Sequence, residues 1–464
     1  MSLRVACAAF VSVSIAWGVA CGGRTDVGGY DETIAEGGAK DASVDVVVPK
    51  KDASVVNDAA APDVYVPVGT ACGAPDAGPP APWTPNGSTP AQFHAPIMQN
   101  YGGLTLSNPI LIPMTFDGDD LRAPIEDFIS SIGCSSYWRA TTADYGIGDA
   151  VMGQTVHMSQ TPPTAVDDGQ IALMIRQGIE NNQFPALVEN QSLYIIYYPS
   201  TTTITLQGEQ SCQSFGGYHN SVDLTDGRKV AYAVMPRCDG FYQLGGIDEL
   251  TATSSHELLE ASTDPYVGET PPDLAYGMPE PNGLAFGLVG GGEVGDLCIF
   301  ENDAFFLPTD YPFYVQHTWV SHAAYAGHDP CQPTTNTYFN ASPTLPDTVQ
   351  LPQQLTASLG ISGTLTSTGI QLGVGQNKTI NVTLFADNTW PTTIQLTARD
   401  YAYFMGGKPA LSFSWSKTSG NVGDTVQLTV SRTGTNAQLG VEPFVIQSES
   451  QGQQQNWWAL VGDP

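Results

Sequence analysis

Thr251 to Pro265 reads Thr-Ala-Thr-Ser-Ser-His-Glu-Leu-Leu-Glu-Ala-Ser-Thr-Asp-Pro. On a helix, His256 and Glu260 stand one turn apart and project from the same face. An imidazole and a carboxylate at that spacing can both ligate one zinc ion. Glu257, beside the first ligand, falls where it can take a proton from a water that the metal activates. Asp264 follows one turn later, just before Pro265, where the helix must end or bend. It serves either as a third ligand or as a brace for the helix end. Gly290-Gly291-Gly292-Glu293-Val294-Gly295-Asp296-Leu297-Cys298 offers two more carboxylates, Glu293 and Asp296, on a glycine-rich loop. His219, His317, His322 and His328 are further ligand options. The plain alternative makes His256 an ordinary helix histidine, with Glu257 and Glu260 on a solvated face.

These side chains need a scaffold, and apolar periodicity supplies its outline. Ile110 to Phe116 reads as a buried strand. Asp119 to Cys134 reads as a helix, because Leu121, Ile125, Phe128 and Ile132 recur near a period of 3.6. Asp167 to Asn181 is a second helix, with Ile171, Met174, Ile175 and Ile179 on one face. Leu193–Tyr198 and Lys229–Met235 are strands, and Ile247 to Ser262 is the helix that carries His256. Strand and helix alternate, so the expectation is a three-layer α/β domain over residues 91–335. Residues 336–346, ending Ser-Pro-Thr-Leu-Pro, read as a linker. Beyond it Thr379–Phe385, Thr392–Ala398 and Thr425–Ser431 alternate polar and apolar residues between turns. That pattern predicts an all-β immunoglobulin-like sandwich over 346–464, with no catalytic constellation in it.

The His-Glu-Leu-Leu-Glu run resembles the zincin pattern His-Glu-x-x-His, with Glu260 in place of the second histidine. The resemblance implies a zincin-like central domain and a zinc metallopeptidase in which Glu257 is catalytic. A glutamate ligand adds negative charge, weakens the metal's Lewis acidity and opens the site to divalent ions other than zinc. Rival chemistries find less support. No Gly-x-Ser-x-Gly elbow occurs, and the 290–292 glycines lack the Lys-Ser/Thr ending of a phosphate loop.

The ends and the charge set the compartment. Arg4 precedes an apolar run from Val5 to Ala20, of about fifteen residues, which is too short to span a bilayer but suits a signal-peptide core. Gly18-Val19-Ala20-Cys21 resembles a bacterial lipobox, with Gly18 where Leu or Val is usual. The expectation is a signal peptide over 1–20 and a surface protein whose membrane contact is only a lipid on Cys21, with free secretion as the alternative. Residues 21–90 are rich in Ala, Asp, Gly, Pro and Val and repeat Lys-Asp-Ala-Ser-Val at 40–44 and 51–55, as a disordered tether does. With 46 acidic and 16 basic residues the formal net charge is −30, which repels nucleic acid. The partners expected are an extracellular protein or peptide substrate, or a cell-wall glycan. Six cysteines remain after the leader and Cys21. Their order suggests Cys72–Cys134, Cys212–Cys238 and Cys298–Cys331 among the fifteen pairings open to them.

A wider resemblance runs through residues 105–335. It rests on the strand Ile110–Phe116, on Trp138-Arg139-Ala140-Thr141-Thr142, and on the strand Leu193–Tyr198. Cys212 with Gly216-Gly217-Tyr218-His219 follows, then Lys229–Met235, Leu258-Leu259 with Thr263-Asp264-Pro265, Glu293 with Cys298, and Asp329-Pro330-Cys331. In this order of features the chain is similar to the phosphate-induced, Exordium-like group of secreted proteins. That resemblance implies a wall-associated α/β protein with a signalling or binding role, whereas His256, Glu257 and Glu260 imply hydrolysis. A non-enzymatic adhesion or carbohydrate-binding protein is therefore the second expectation.

Overall fold

The computed structural model describes residues 70–464 apart from 74–77, 86–89, 268–273, 359–363, 404–407 and 437–438. The expected signal peptide, the lipid site at Cys21 and most of the expected tether lie outside the described residues. The last part of that tether is not free chain. Cys72 is bridged to Cys134, and Trp83 packs edge-on against Tyr325, with ring centroids 5.6 Å apart.

At the centre lies a mixed sheet. β1 (Ile110–Phe116), β2 (Ser192–Tyr198) and β4 (Lys229–Pro236) run parallel in the order β1-β2-β4. β3 (Tyr218–Asp223) closes the edge antiparallel to β4, with His219 opposite Ala233. Two short strands, Val151–Met152 and Val156–Met158, pair with the outer side of β1. β2 is buried at every position, and β1 and β4 at all but their first. Continuous apolar runs are what strands covered on both faces require.

Helix α1 (Arg122–Ile132) follows β1, and α2 (Ser136–Thr142) starts at Ser135, whose hydroxyl accepts from the Trp138 N–H. α3 (Asp168–Glu180) opens with a reciprocal capping box between Asp167 and Gln170, which satisfies two otherwise orphaned N–H groups. It packs Ile171, Ile175 and Ile179 on Tyr194, Ile196, Tyr232 and Val234. α4 (Gly246–Thr263) lies over the opposite face and is buried at every residue from Glu249 to Thr263.

The expected zincin-like three-layer α/β domain is not what forms. Strand outweighs helix across the described residues, 34% to 21%. Beside the central sheet stand three two-stranded sheets and one three-stranded sheet. Their strands are mostly two to four residues long, too short to print a period into the sequence. Nor is α4 an outer layer: a helix covered all round belongs to the interior of a larger body. The apolar cluster around Leu250, Leu258 and Leu259 runs without a break through Phe286 and Trp319 to Phe385, Trp457 and Leu460 of the C-terminal region.

That C-terminal region is a two-sheet β structure, compatible with the immunoglobulin-like expectation. β5 (Phe339–Pro343), β8 (Asn377–Ala386), β12 (Thr425–Arg432) and β10 (Leu411–Trp415) form one sheet in the order β5-β8-β12-β10. The other runs β6 (Asp347–Gln350), β7 (Thr366–Gln371), β14 (Gln453–Gly462), β13 (Glu442–Ser450), β9 (Ile394–Asp400), β11 (Ser419–Gly420). The segment expected as a linker, 336–346, contains β5, whose Phe339, Asn340 and Ala341 are fully buried. Asn and Pro in a short strand read like linker chemistry, and only pairing with β8 reveals the strand.

All three disulfides form as the order of the cysteines suggested. Such bridges persist in oxidising compartments, which makes this an extracellular or surface protein. Among the described residues no helix is long and apolar enough to cross a membrane.

Candidate metal centre

α4 places His256, Glu257 and Glu260 in the interior, each with no exposed surface. A buried helix needs its polar side chains satisfied. The Ser254, Ser255, Ser262 and Thr263 hydroxyls do so by donating to carbonyls three or four residues back. Glu249 in the first turn accepts from the Gly240 and Phe241 N–H groups. His256, Glu257 and Glu260 are treated differently, because each spends one polar atom on a fixed partner and leaves the other.

The partners come from three other elements. Gln316, in a two-residue strand Val315–Gln316, donates from Nε2 to the Gly295 carbonyl at 2.7 Å. Its Oε1 can then only accept, so the contact of 3.0 Å to His256 Nδ1 is an Nδ1–H donation. A neutral ring so held has its lone pair on Nε2. Glu260 Oε1 accepts from two backbone N–H groups, Gly295 and Asp296, both at 3.1 Å. That leaves Glu260 Oε2 facing His256 Nε2 at 3.0 Å.

β3 supplies the second imidazole. Alternation along the strand sends Tyr218 and Asn220 to the α3 side, where both bond Asp168, and sends His219 to the α4 side. His219 Nδ1 lies 3.3 Å from Glu257 Oε2 and 3.9 Å from Glu260 Oε2, while its Nε2 lies 3.7 Å from Glu293 Oε1. Asp296 Oδ1 stands 3.8 Å from His256 Nε2. Gly295 and Gly217 let the elements close in. A Cβ at Gly295 would fall 2.6 Å from His256 Nδ1 and 2.9 Å from Glu260 Oε1, and one at Gly217 would fall 2.6 Å from Thr253 Cγ2.

The buried atoms here that have no hydrogen-bond partner include His219 Nε2, His256 Nε2, Glu257 Oε1 and Glu260 Oε2. Buried polar atoms are rarely left so, since each costs its full desolvation penalty. Ligand atoms around tetrahedral zinc lie about 3.3 Å apart, given metal–ligand bonds near 2.0–2.1 Å. The spacings of 3.0, 3.7 and 3.8 Å bracket that value. The donor set therefore fits a divalent cation. In its absence protons answer the negative charge. Burial opposes a charge on His219, but Glu293, Glu257 and Glu260 outweigh it and push the imidazole up to about 10. Burial likewise opposes a charge on His256, and Glu260 with Glu257 pushes it up to about 9. Asp296 is driven well above the usual carboxylate range, first by burial and then by Glu260, Glu293 and Glu257.

Of the residues singled out in the sequence, the structure thus gathers His256, Glu257, Glu260, Glu293 and Asp296. Asp264 is not with them. It caps the end of α4, its N–H bonded to the Glu260 carbonyl and its Oδ1 to the Ala275 N–H, so the brace is its role. His219 stood only as one histidine among several. The other three lie elsewhere: His317 stacks on Phe306, His322 pairs with Asp144 and His328 with Asp387. The signal for His219 was its place two residues into a strand opened by Gly216-Gly217. Gln316 carries no chemical signature in sequence.

No family model matches the chain, and no curated protein matches it. Among solved structures, it is similar to domains 4–9 of the surface layer protein SbsC, at 15% identity over 26% of this chain and 14% of that one, with a TM-score of 0.16. Domains 4 and 5 of SbsC match at 14% identity over 34% of this chain and 88% of that one, again with a TM-score of 0.16. At that level the likeness carries no weight for fold or function.

Proposed function

We propose that the cluster on α4, β3 and the Glu293–Asp296 loop holds a divalent cation, with zinc the ion this nitrogen and oxygen donor set suits. We further propose that the protein is a surface hydrolase acting on peptide bonds. The observation that supports both is the convergence of four buried donor atoms that have no hydrogen-bond partner. His256 and Glu260 would hold the ion together with His219, Glu293 or Asp296. The ion would supply Lewis acidity toward a water molecule and toward the carbonyl of the substrate. Gln316 fixes the tautomer of His256, and the Gly295 and Asp296 N–H groups fix the carboxylate plane of Glu260. Glu257 receives a hydrogen bond on Oε2 from His219, so its Oε1 is the acceptor for a proton taken from a nucleophilic water. Burial keeps this acceptor from being screened. A lipid on Cys21 would hold the chain at the surface, where the Exordium-like resemblance also puts it.

Loss of zinc in His256→Ala, together with zinc retained but peptide hydrolysis abolished in Glu257→Gln, is the expected result. Undiminished turnover in Glu257→Gln would remove the general-base role, and a metal-free purified protein would overturn the centre itself. A second reading has its own support: His219, His256, Glu257 and Glu260 show no exposed surface. A cation there would brace a non-enzymatic adhesion or glycan-binding protein. Zinc present in the wild-type and Glu257→Gln proteins, with no hydrolysis of any peptide library by either and with glycan binding, would favour it.

A further inference from the structure

We propose that the centre holds two divalent ions, bridged by Glu260. The inference rests on the cation reading above and deepens it. Two donor groups are distinguishable: His219, Glu260 and Glu293 form one, and His256, Glu257 and Glu260 the other, with ligand atoms in each lying within 4.8 Å of one another. Glu260 belongs to both. Its Oε1 is committed to two backbone N–H groups. The remaining Oε2 lies between the two imidazoles, 3.0 Å from His256 Nε2 and 3.9 Å from His219 Nδ1. A carboxylate oxygen in that position can serve an ion on either side.

Charge gives the second argument. Glu257, Glu260, Glu293 and Asp296 bring four carboxylates into one buried volume. One divalent ion answers only two of those four charges and leaves the rest to protons, which on an imidazole would block its ligand nitrogen. Two divalent ions balance all four. The imidazoles are divided to match. His256 aims Nε2 toward Glu260 and Asp296, whereas His219, fully buried and with Nε2 lacking a hydrogen-bond partner, aims that atom toward Glu293. Ions in two-metal hydrolytic sites sit about 3.5–4 Å apart, a separation that a shared carboxylate oxygen permits. His219 and Glu293 thereby hold one ion, His256 and Asp296 the other, and Glu257 keeps its free oxygen beside both.

The test is metal counting on the full chain loaded with zinc and stripped of loosely held ions, read by mass spectrometry. The wild-type protein should carry two zinc ions. Glu293→Gln and His256→Ala should each keep one, and Glu260→Gln should fall below either. Because a variant can fail to fold, the manganese-loaded wild-type protein is read as well by electron paramagnetic resonance, where adjacent ions give a spin-coupled signal. One zinc per wild-type chain and an uncoupled manganese spectrum would overturn the two-ion inference while leaving the cation reading standing. No bound metal would overturn both.

Discussion

His256 and Glu260 each keep one polar atom clear because Gln316 and the Gly295 and Asp296 N–H groups hold the other, and the proposed centre should be most sensitive at those groups. Gln316 takes the Nδ1–H of His256 and is itself tied to Gly295 and, through its N–H, to the Ser255 hydroxyl. Gln316→Leu keeps the volume and removes the acceptor. Zinc affinity should fall by about 10–100-fold, the usual effect of losing such a partner, whereas Gln316→Glu, which still accepts, should retain most of it. A competition titration against a chromogenic chelator measures both, and equal affinities in Leu and wild type would show that Gln316 does not position the ring. Gly295→Ala should be at least as damaging, because the new methyl would meet both His256 and Glu260. In sequence, His256, Glu257 and Glu260 were legible because helical spacing alone brings them together. Glu293 and Asp296 were legible as carboxylates on a glycine loop. His219 and Gln316 were not, since their approach depends on strand pairings far from α4 in the chain.

At the level of elements, apolar periodicity located β1, β2, β4, α1, α3 and α4 to within a few residues, because each buries a regular stripe or run. It failed where burial comes from irregular partners. The two-residue strands that frame the site leave no period, and the all-round burial of α4 looks in sequence like an amphipathic surface helix with polar Ser, Thr and Glu. The position of β3 depends on a contact of this irregular kind. Asp168, at the start of α3, accepts from Tyr232 at 2.6 Å, Tyr218 at 2.9 Å and Asn220 at 3.0 Å. These bonds hold β3 and β4 to α3, and a one-residue slip of β3 would turn His219 away from α4. Tyr232→Phe should cost about 1.5–3 kcal/mol, the range for one hydrogen bond to a charged group. Asp168→Ala, which strands three donors, should cost more and should also lower zinc occupancy. Urea denaturation followed by fluorescence gives the first number. A stability loss in Asp168→Ala with occupancy unchanged would mean that β3 is held by its pairing with β4 alone.

The whole molecule joins its two parts through a surface that is apolar at the centre and acidic at one side. Phe93 stacks on Phe385 at 4.8 Å, and Phe286 of α5 (Leu284–Gly290) meets Trp457 edge-on at 6.1 Å. α5 runs directly into the loop that bears Glu293 and Asp296, so the β structure backs the candidate metal centre. Beside these rings a small cavity is lined by Glu301, Asp329, Asn456 and Trp458. Asn456 Nδ2 bonds the Phe300 carbonyl and Glu301 Oε1 across the junction. Burial, helped by the charges of Asp303 and Asp387, pushes Asp329 up to about 7, and burial with Asp329 and Asp303 pushes Glu301 well above its ordinary value. The unfolded chain gives up the Asp329 proton near pH 4 (about 3.9), while the folded chain keeps it to about 7. Between those values the folded state binds more protons, so the stability present below the lower one is lost as the pH rises through the upper one. The melting temperature should therefore fall between pH 5 and pH 8. Asp329→Asn, which cannot ionise, should make that fall shallower and be the more stable protein at pH 8. Calorimetry of the two proteins at both pH values decides the matter. Parallel pH dependences would show that the junction stays closed over an ionised Asp329, with the cavity taking in enough water to solvate it.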